Sequence, residues 1–469
     1  APPCRVQRAA QAFARTARDE RRRGSDPELR RDRERVRFAR GGSSARICAA
    51  WLRCRRRGSE FKAKAAVAPE SLLSCCEVGS SPLNVAVLVS GGVDSSMALA
   101  MLKDAGHHLK AFYLQIWFEE DFANYWSQCP WEEDLEYARS VCKDHDVPLE
   151  VVPLTKQYWE KVVSRSIEEI KSGFTPNPDM LCNSEIKFGA FLSYLEDEHA
   201  GVFDRVASGH YAKIQRGHEQ TGQPSSLLYL SGDRVKDQTY FLARLTPDQL
   251  ASCLFPLGEL TKAQVRTISK QKQLASQSRK DSQGICFLGK VDFRSFVEKH
   301  LGSSEGLLVE QETMDVLGKH QGYWFYTIGQ RQGIRLSHGP WYVTGKDVDA
   351  NIVFISKEYH SDRYNRNTFL CSSFNWIGGL LPEAVGGDLM CKVRHGPTCY
   401  SCTFTWWEQR SEQGQGARRG EAEEDIARVV IDGHDQGFAP GQYVVFYEGQ
   451  SGLCLGSGII TGCPPGDKQ

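Results

Sequence analysis

Asn84-Val85-Ala86-Val87-Leu88-Val89-Ser90-Gly91-Gly92-Val93-Asp94-Ser95-Ser96-Met97-Ala98-Leu99-Ala100-Met101-Leu102 reads as an apolar strand, a glycine turn and the start of a helix. That order builds an anion site. The glycines let the backbone approach a phosphate, and the first helical N–H groups point at it. The helix dipole adds a favourable field at the same end. No Gly-Lys-Ser/Thr follows the glycines, so the loop is not of the Walker A type that serves γ-phosphate transfer.

Outward from this loop the pattern repeats. Apolar runs at 109–116, 149–153 and 202–208 alternate with helical patterns at 131–145 and 159–172. Such β-α units predict an α/β fold with a parallel, doubly wound sheet and right-handed crossovers. Ligands of these sheets sit beyond the carboxyl ends of the strands, where Ser90–Ser96 falls. Helical patterning continues through 246–254 and 262–272, and a Gly-rich segment at 318–333 changes the character. Short β-type runs at 389–393, 401–407, 427–431, 442–447 and 453–461 then predict a small β-barrel. Residues 411–425 read as a solvated loop.

The 469 residues suit two or three domains with ample core. No apolar run reaches the roughly 18 residues a membrane span needs. The formal net charge is zero, yet residues 1–70 carry +12 and the remainder −12. An acidic body argues against indiscriminate nucleic-acid binding, which rests on many phosphate contacts, so any RNA must find a local basic surface. The Arg-, Ala- and Ser-rich start (1–80) reads as a targeting leader. Its acidic residues, Asp19 to Glu34 among them, leave a basic nucleic-acid-binding arm as the competing reading. Import into an organelle is expected, a mitochondrion before a plastid. Most of the sixteen cysteines read as small buried hydrophobes, because the chain is long and lacks a secretory apolar segment. Cys399-Tyr400-Ser401-Cys402 has zinc-like spacing without a second pair, and no structural metal is expected.

Two further stretches carry chemistry. Thr175-Pro176-Asn177-Pro178-Asp179-Met180-Leu181-Cys182-Asn183 stiffens a loop with two prolines before a helix. One helical turn brings Asp179 and Cys182 together. Lys280-Asp281-Ser282-Gln283-Gly284-Ile285-Cys286-Phe287-Leu288-Gly289 sets a second cysteine in a polar loop, with Lys280 as a source of the positive charge that makes a thiol reactive. Either cysteine alone reads more simply as a buried thiol.

Ser90–Ser96 resembles the PP-loop of ATP pyrophosphatases, which cut ATP between the α and β phosphates and leave AMP on a substrate oxygen. With the two cysteine stretches, the chain from Asn84 to Thr461 resembles the tRNA-specific 2-thiouridylases, the MnmA/TrmU family. Ser208-Gly209-His210-Tyr211, Lys236-Asp237-Gln238-Thr239-Tyr240-Phe241-Leu242, Phe255-Pro256-Leu257-Gly258-Glu259-Leu260, His320-Gln321-Gly322, Thr327-Ile328-Gly329-Gln330-Arg331, Trp341-Tyr342-Val343 and Pro440-Gly441-Gln442 extend the match. The resemblance implies a PP-loop catalytic domain at 82–292, a small central domain at 293–362 and a C-terminal β-barrel at 363–463.

It also implies roles. ATP adenylates the C2 oxygen of the wobble uridine, U34. Cys286 receives sulfur as a persulfide, and Cys182 helps to transfer it, ending as a transient Cys182–Cys286 disulfide. Asp179 acts as general base or orients the uracil. Leu88, Val89, Ser90, Gly91, Gly92, Val93, Asp94, Ser95, Leu114 and Gly209 line the ATP site, with Mg²⁺ near Asp94. Asn177, Pro178 and Asp179 meet the target base. His210, Lys236, Asp237, Gln238 and Gln442 are expected at the tRNA; for His210 and Gln442 a structural hydrogen bond is the competing role. Val393-Arg394-His395-Gly396-Pro397 departs from the family's usual Arg-Tyr pair, leaving Arg394 or His395 to take its place. The implied partners are tRNA of the Lys, Glu and Gln type and a persulfide donor, either a cysteine desulfurase or a relay protein, acting on a monomer with no membrane involved.

Two rivals and one variant mechanism stand beside this reading. An adenylating amide ligase would share the PP-loop but has no use for the two cysteines. A non-catalytic tRNA-binding protein would need no intact PP-loop. Asp179, Cys182 and Cys286 would also suit an iron–sulfur cluster, although the persulfide route is the expected one.

Overall fold

The computed structural model describes residues 75–77, 81–116, 131–216, 226–281, 293–361, 364, 366–385, 388–407 and 425–464. Residues 1–74 of the expected leader, the segment carrying Cys286 and nearly all of the 411–425 stretch lie outside them.

In chain order, the first seven strands are β1 (Asn84–Leu88), β2 (His108–Gln115), β3 (Leu149–Pro153), β4 (Arg205–Ala207), β5 (Lys213–Arg216), β6 (Ser226–Tyr229) and β7 (Cys253–Leu254). Five of them form one sheet in the order β3-β2-β1-β4-β7, with every pair parallel. Strands β5 and β6 make a separate hairpin. The chain winds from β1 out to β3, then returns to lay β4 on the other side of β1. The switch point therefore lies between the carboxyl ends of β1 and β4, where such sheets bind their ligands. Strand β1 is buried at four of its five positions, which accounts for its unbroken apolar run.

Helix α1 (Val93–Asp104) leaves the glycine turn and is buried from Val93 to Leu102 apart from Asp94. It is therefore a core helix rather than an amphipathic one. Helix α2 (Trp131–Asp144) buries Leu135, Ala138, Val141 and Cys142, a stripe with helical spacing. The helical expectation over 246–254 needs correction at its end. The helix spans Pro247–Ser252, begun by a capping box of Thr246 and Gln249, and Cys253–Leu254 extend into the sheet instead. Two residues have no period to read, and only their burial beside β4 makes them a strand.

Strands β8 (Gly306–Glu310), β9 (Val316–His320), β10 (Tyr342–Asp347) and β11 (Ile352–Ser356) form a four-stranded sheet in the order β10-β11-β8-β9, with its own core of Leu308, Tyr323, Trp341, Val343, Val353 and Ile355. Strands β12 (Thr368–Trp376), β13 (Leu389–Lys392), β14 (Tyr400–Trp406), β15 (Ala427–Ile431), β16 (Tyr443–Glu448) and β17 (Cys454–Gly462) close into a six-stranded barrel. Closure removes the open edges that a small sheet would otherwise present. One side of the barrel packs into the parallel-sheet domain: Tyr443, Val445, Tyr447 and Cys454 share a core with Leu228, Tyr240 and Leu245. No described helix is long and apolar enough to cross a membrane.

Candidate active site

The PP-loop is shaped by its own hydroxyls. Ser95 Oγ lies 3.1 Å from the Ser90 amide, 3.2 Å from Ser90 Oγ and 3.2 Å from the Gly92 carbonyl. Gly91 has φ +71°, and a Cβ there would stand 2.1 Å from the Asp134 carbonyl oxygen. Gly92 is the N-cap of α1 and offers no side-chain acceptor to the first helical amides. Those amides remain available to an anion. Across the switch point, Gly209 follows β4, and a Cβ there would stand 2.7 Å from Asp94 C and from Ser95 N. Leu88 ends β1 and Val89 follows it, its amide donating to the Phe112 carbonyl at 2.9 Å, and Leu114 lies near the carboxyl end of β2, opposite Val152 of β3.

Cations and carboxylates gather at this loop. Asp94 accepts from Lys262 Nζ at 2.7 and 2.8 Å and from the Tyr211 hydroxyl at 2.8 Å. Lys262 also reaches Asp281 at 3.0 Å; Lys236 lies 3.1 Å from the other Asp281 oxygen, and Arg266 bonds to the same carboxylate. Burial alone would raise the Asp281 pKa, but hydrogen bonds from Lys262, Arg266 and Lys236 hold it well below the usual carboxylate range. Burial, with Asp94 next in effect, pushes the Tyr211 hydroxyl far up, so it stays a proton donor. Arg279 donates to the Gly91 carbonyl at 3.2 Å, pairs with Asp134 and lies 4.6 Å from the Tyr137 ring centroid.

Asn177 caps the helix Pro178–Leu181, its Oδ1 accepting from the Met180 amide at 3.3 Å. Asp179 is half-buried in the first turn, and Cys182 is 1% exposed at the start of a π-helical run, Cys182–Ala190. The helix therefore continues unbroken from Asp179 through Cys182 and carries an extra residue per turn there, a feature common at functional sites. Cys286 lies outside the described residues, so the pairing expected of it with Cys182 has no structural description here. Phe188 on this run packs on the His210 ring at 6.0 Å between centroids. Through His210 and its neighbour Gly209, the cysteine helix backs onto the PP-loop.

The residues expected at the tRNA fall into different settings. Lys236 is partly exposed beside Asp281. Gln238 is tied to Tyr211 by two bonds, its Oε1 accepting from the Tyr211 amide at 3.0 Å and its own amide donating to the Tyr211 carbonyl. Asp237 is buried, pairs with Lys392 of the barrel at 3.0 Å, and accepts from Thr239 Oγ1 and the Ser231 amide. His210 is buried with Nδ1 2.8 Å from Ser208 Oγ, and burial drives its pKa well below the ordinary value. Gln442 bonds to the backbone of the Asn177 loop. Arg394 is bound by Asp435 and the Gly437 carbonyl, and His395 stacks on Phe241 at 4.6 Å.

Lys262, Tyr211, Arg266 and Arg279 were not among the expected site residues. Lys262 left a signal in the sequence. It directly follows the cap Thr261, the end of a helix where the macrodipole disfavours a cation. A lysine placed against the dipole has another partner to satisfy. Among the described residues, no group of three or more His, Cys, Asp or Glu is gathered to hold a metal ion.

Three domain families match in chain order: the tRNA methyl transferase HUP domain over residues 83–290, the tRNA methyl transferase PRC-barrel domain over 294–357 and the aminomethyltransferase beta-barrel domain over 366–460. Full-length relatives span all three. The tRNA-specific 2-thiouridylase MnmA of Porphyromonas gingivalis is 42% identical over 385 residues, covering 81% of this chain and 99% of its own length. The chain belongs to the tRNA-specific 2-thiouridylase family. MnmA of Parabacteroides distasonis is also 42% identical, over 383 residues, with the same shares covered. The U34-tRNA thiolase NcsA from Methanococcus maripaludis, solved with its 4Fe-4S cluster, aligns at a TM-score of 0.29 and 16% identity, over 49% of this chain and 73% of that one. That likeness is too slight to bear on the site. Family membership makes the PP-loop domain an ATP-binding domain and the chain a tRNA sulfurtransferase.

Proposed function

We propose that the chain converts U34 of tRNA to 2-thiouridine, using ATP to activate the base and a cysteine persulfide as the sulfur source. The observation that carries this reading is the single helical run that joins Asp179 to the buried Cys182 and, through Phe188 and His210, backs onto the PP-loop.

Uracil C2 bears a carbonyl oxygen, a poor leaving group. Attack of that oxygen on the α-phosphorus of ATP expels pyrophosphate and leaves AMP on O2. The free amides of α1 and the Lys262 ammonium take the phosphate charge as it moves. Mg²⁺ would sit on the Asp94 carboxylate and neutralise phosphate oxygens. Asp179, beside Asn177 and Pro178, holds the uracil and accepts its proton. The terminal sulfur of a Cys286 persulfide attacks C2 and AMP departs. Cys182 then attacks the inner sulfur, which frees the C2 sulfur and forms a Cys182–Cys286 disulfide. A thiol reductant supplies the two electrons that reset the pair.

The sulfur donor is a desulfurase or relay protein, and the substrates are tRNAs of the Lys, Glu and Gln type. The basic leader supports reaction in an organelle, the mitochondrion first. Pyrophosphate release tests the activation step. With ATP and U34-containing tRNA it rises sharply, and with tRNA carrying another base at that position it does not. Release that needs ammonia and a small carboxylate instead would return the amide-ligase reading, and no release at all would return the binding-protein one. Iron content and a visible absorption band separate the cluster variant from the persulfide route.

A further inference from the structure

The Asn177 loop is held from the barrel. Gln442 Nε2 donates to the carbonyls of Thr175 and Pro176, both at 2.9 Å, and its Oε1 accepts from Asn177 Nδ2 at 3.3 Å. The Thr175 amide donates to the Pro440 carbonyl at 2.7 Å. Gly441 permits the approach. Its φ is +91°, and a Cβ there would stand 2.9 Å from Phe174 Cβ and 3.0 Å from both Thr175 N and O. A primary amide has two N–H donors and one carbonyl acceptor. Both N–H donors of Gln442 and one lone pair of its carbonyl oxygen are engaged inside the protein, and the two carbonyls fix which way the amide points.

The chain of bonds continues into the site. Asn177 gives Nδ2 to Gln442 and takes the Met180 amide on Oδ1, so one side chain both answers the barrel and begins the helix that carries Asp179 and leads to Cys182. We propose that Gln442 is a positioning residue: through Asn177 it sets where the Asp179–Cys182 helix begins, making barrel docking a condition for productive capture of the uridine. This rests on the thiolation reading given above and extends it from the groups that react to the group that places them. A loop of this kind displaced by a small distance spoils reaction geometry far more than it spoils affinity.

The test uses the full chain with Gln442→Met, which keeps the length and removes the polar atoms. Gln442→Glu serves as the second variant: it keeps the shape and the bond from Asn177 but cannot donate to the two carbonyls. Hydrogen exchange of the free protein is read first. Exchange over 174–182 is expected to quicken by roughly tenfold while the stretch 84–104 is unchanged. With saturating U34-containing tRNA, ATP and a persulfide donor, the single-turnover rate should fall by about 10- to 100-fold. The tRNA Kd should stay within about twofold. Exchange over 174–182 equal to that of the unsubstituted chain would overturn the proposal. So would a tRNA Kd weakened by about tenfold with the saturated rate intact, the signature of a direct tRNA contact. Absence of 2-thiouridine with the unsubstituted chain would sink the thiolation reading instead, and the exchange result would still judge the clamp.

Discussion

The Lys262 ammonium meets the Asp94 carboxylate at 2.7 Å beside the first turn of α1, across 168 residues of chain. Asp281, five residues before Cys286, holds the same ammonium. One lysine thus joins the Ser90–Ser96 loop to Asp281, at the start of the stretch that leads to Cys286 in the sequence. In the proposed reaction, the phosphates of ATP compete with the two carboxylates for that charge.

Lys262→Met should therefore weaken use of ATP. A charge-assisted hydrogen bond contributes about 1.5–3 kcal/mol, so kcat/KM for ATP in pyrophosphate release should fall by roughly 10- to 100-fold. Lys262→Arg keeps the charge and should retain most of the activity, while tRNA affinity stays unchanged in both. An unaltered ATP dependence in Lys262→Met would remove the lysine from the phosphate site.

The Asp237–Lys392 pair predicts how the barrel is held. The side chains are 1% and 5% exposed, and Asp237 also accepts from Ser231 and Thr239. Removing one partner strands a buried charge, and Asp237→Ala should cost about 3–5 kcal/mol in urea unfolding. The double variant Asp237→Asn with Lys392→Met leaves no stranded charge and should recover a large part of that loss. Equal losses in the single and double variants would contradict the account.

His210 predicts an acid sensitivity. Burial, reinforced by nearby Lys187, depresses its folded pKa well below the ordinary 6.5, so below that pH the unfolded chain takes up the proton first. Its contribution is full above pH 6.5 and is lost as pH falls, at about 1.4 kcal/mol per pH unit. His320, pushed down by burial to about 4, adds a second contribution of the same sign. His210→Gln should reduce, not abolish, the pH slope of unfolding free energy between pH 6.5 and 5. An unchanged slope would mean that His210 takes up its proton as readily in the fold as in the unfolded chain.

What the sequence made legible was local. Strand β1, the glycine turn and α1 are contiguous, and each element follows from patterning within about twenty residues. The barrel strands are legible as short β-type runs spaced by turns, and the Asp179–Cys182 turn by helical arithmetic. Long-range contacts left little trace. Nothing in the stretch around Gln442 says that its amide ends on a loop more than 260 residues earlier, and Lys262 finds Asp94 only once the sheet has placed both. Strand β7 was too short for any period. For His210 motif position leaves two roles open, a tRNA contact and a structural hydrogen bond, and its place between the rings of Phe188 and Phe255 is a setting that tertiary packing alone creates.

The central claim is sulfur transfer through two thiols to U34, and nucleoside mass spectrometry tests it most directly. The chain lacking residues 1–70, supplied with ATP, Mg²⁺, a persulfide donor and U34-containing tRNA, should yield a 2-thiouridine peak. Cys182→Ala and Cys286→Ala should each abolish it while ATP binding persists. A peak that survives either substitution would contradict the account.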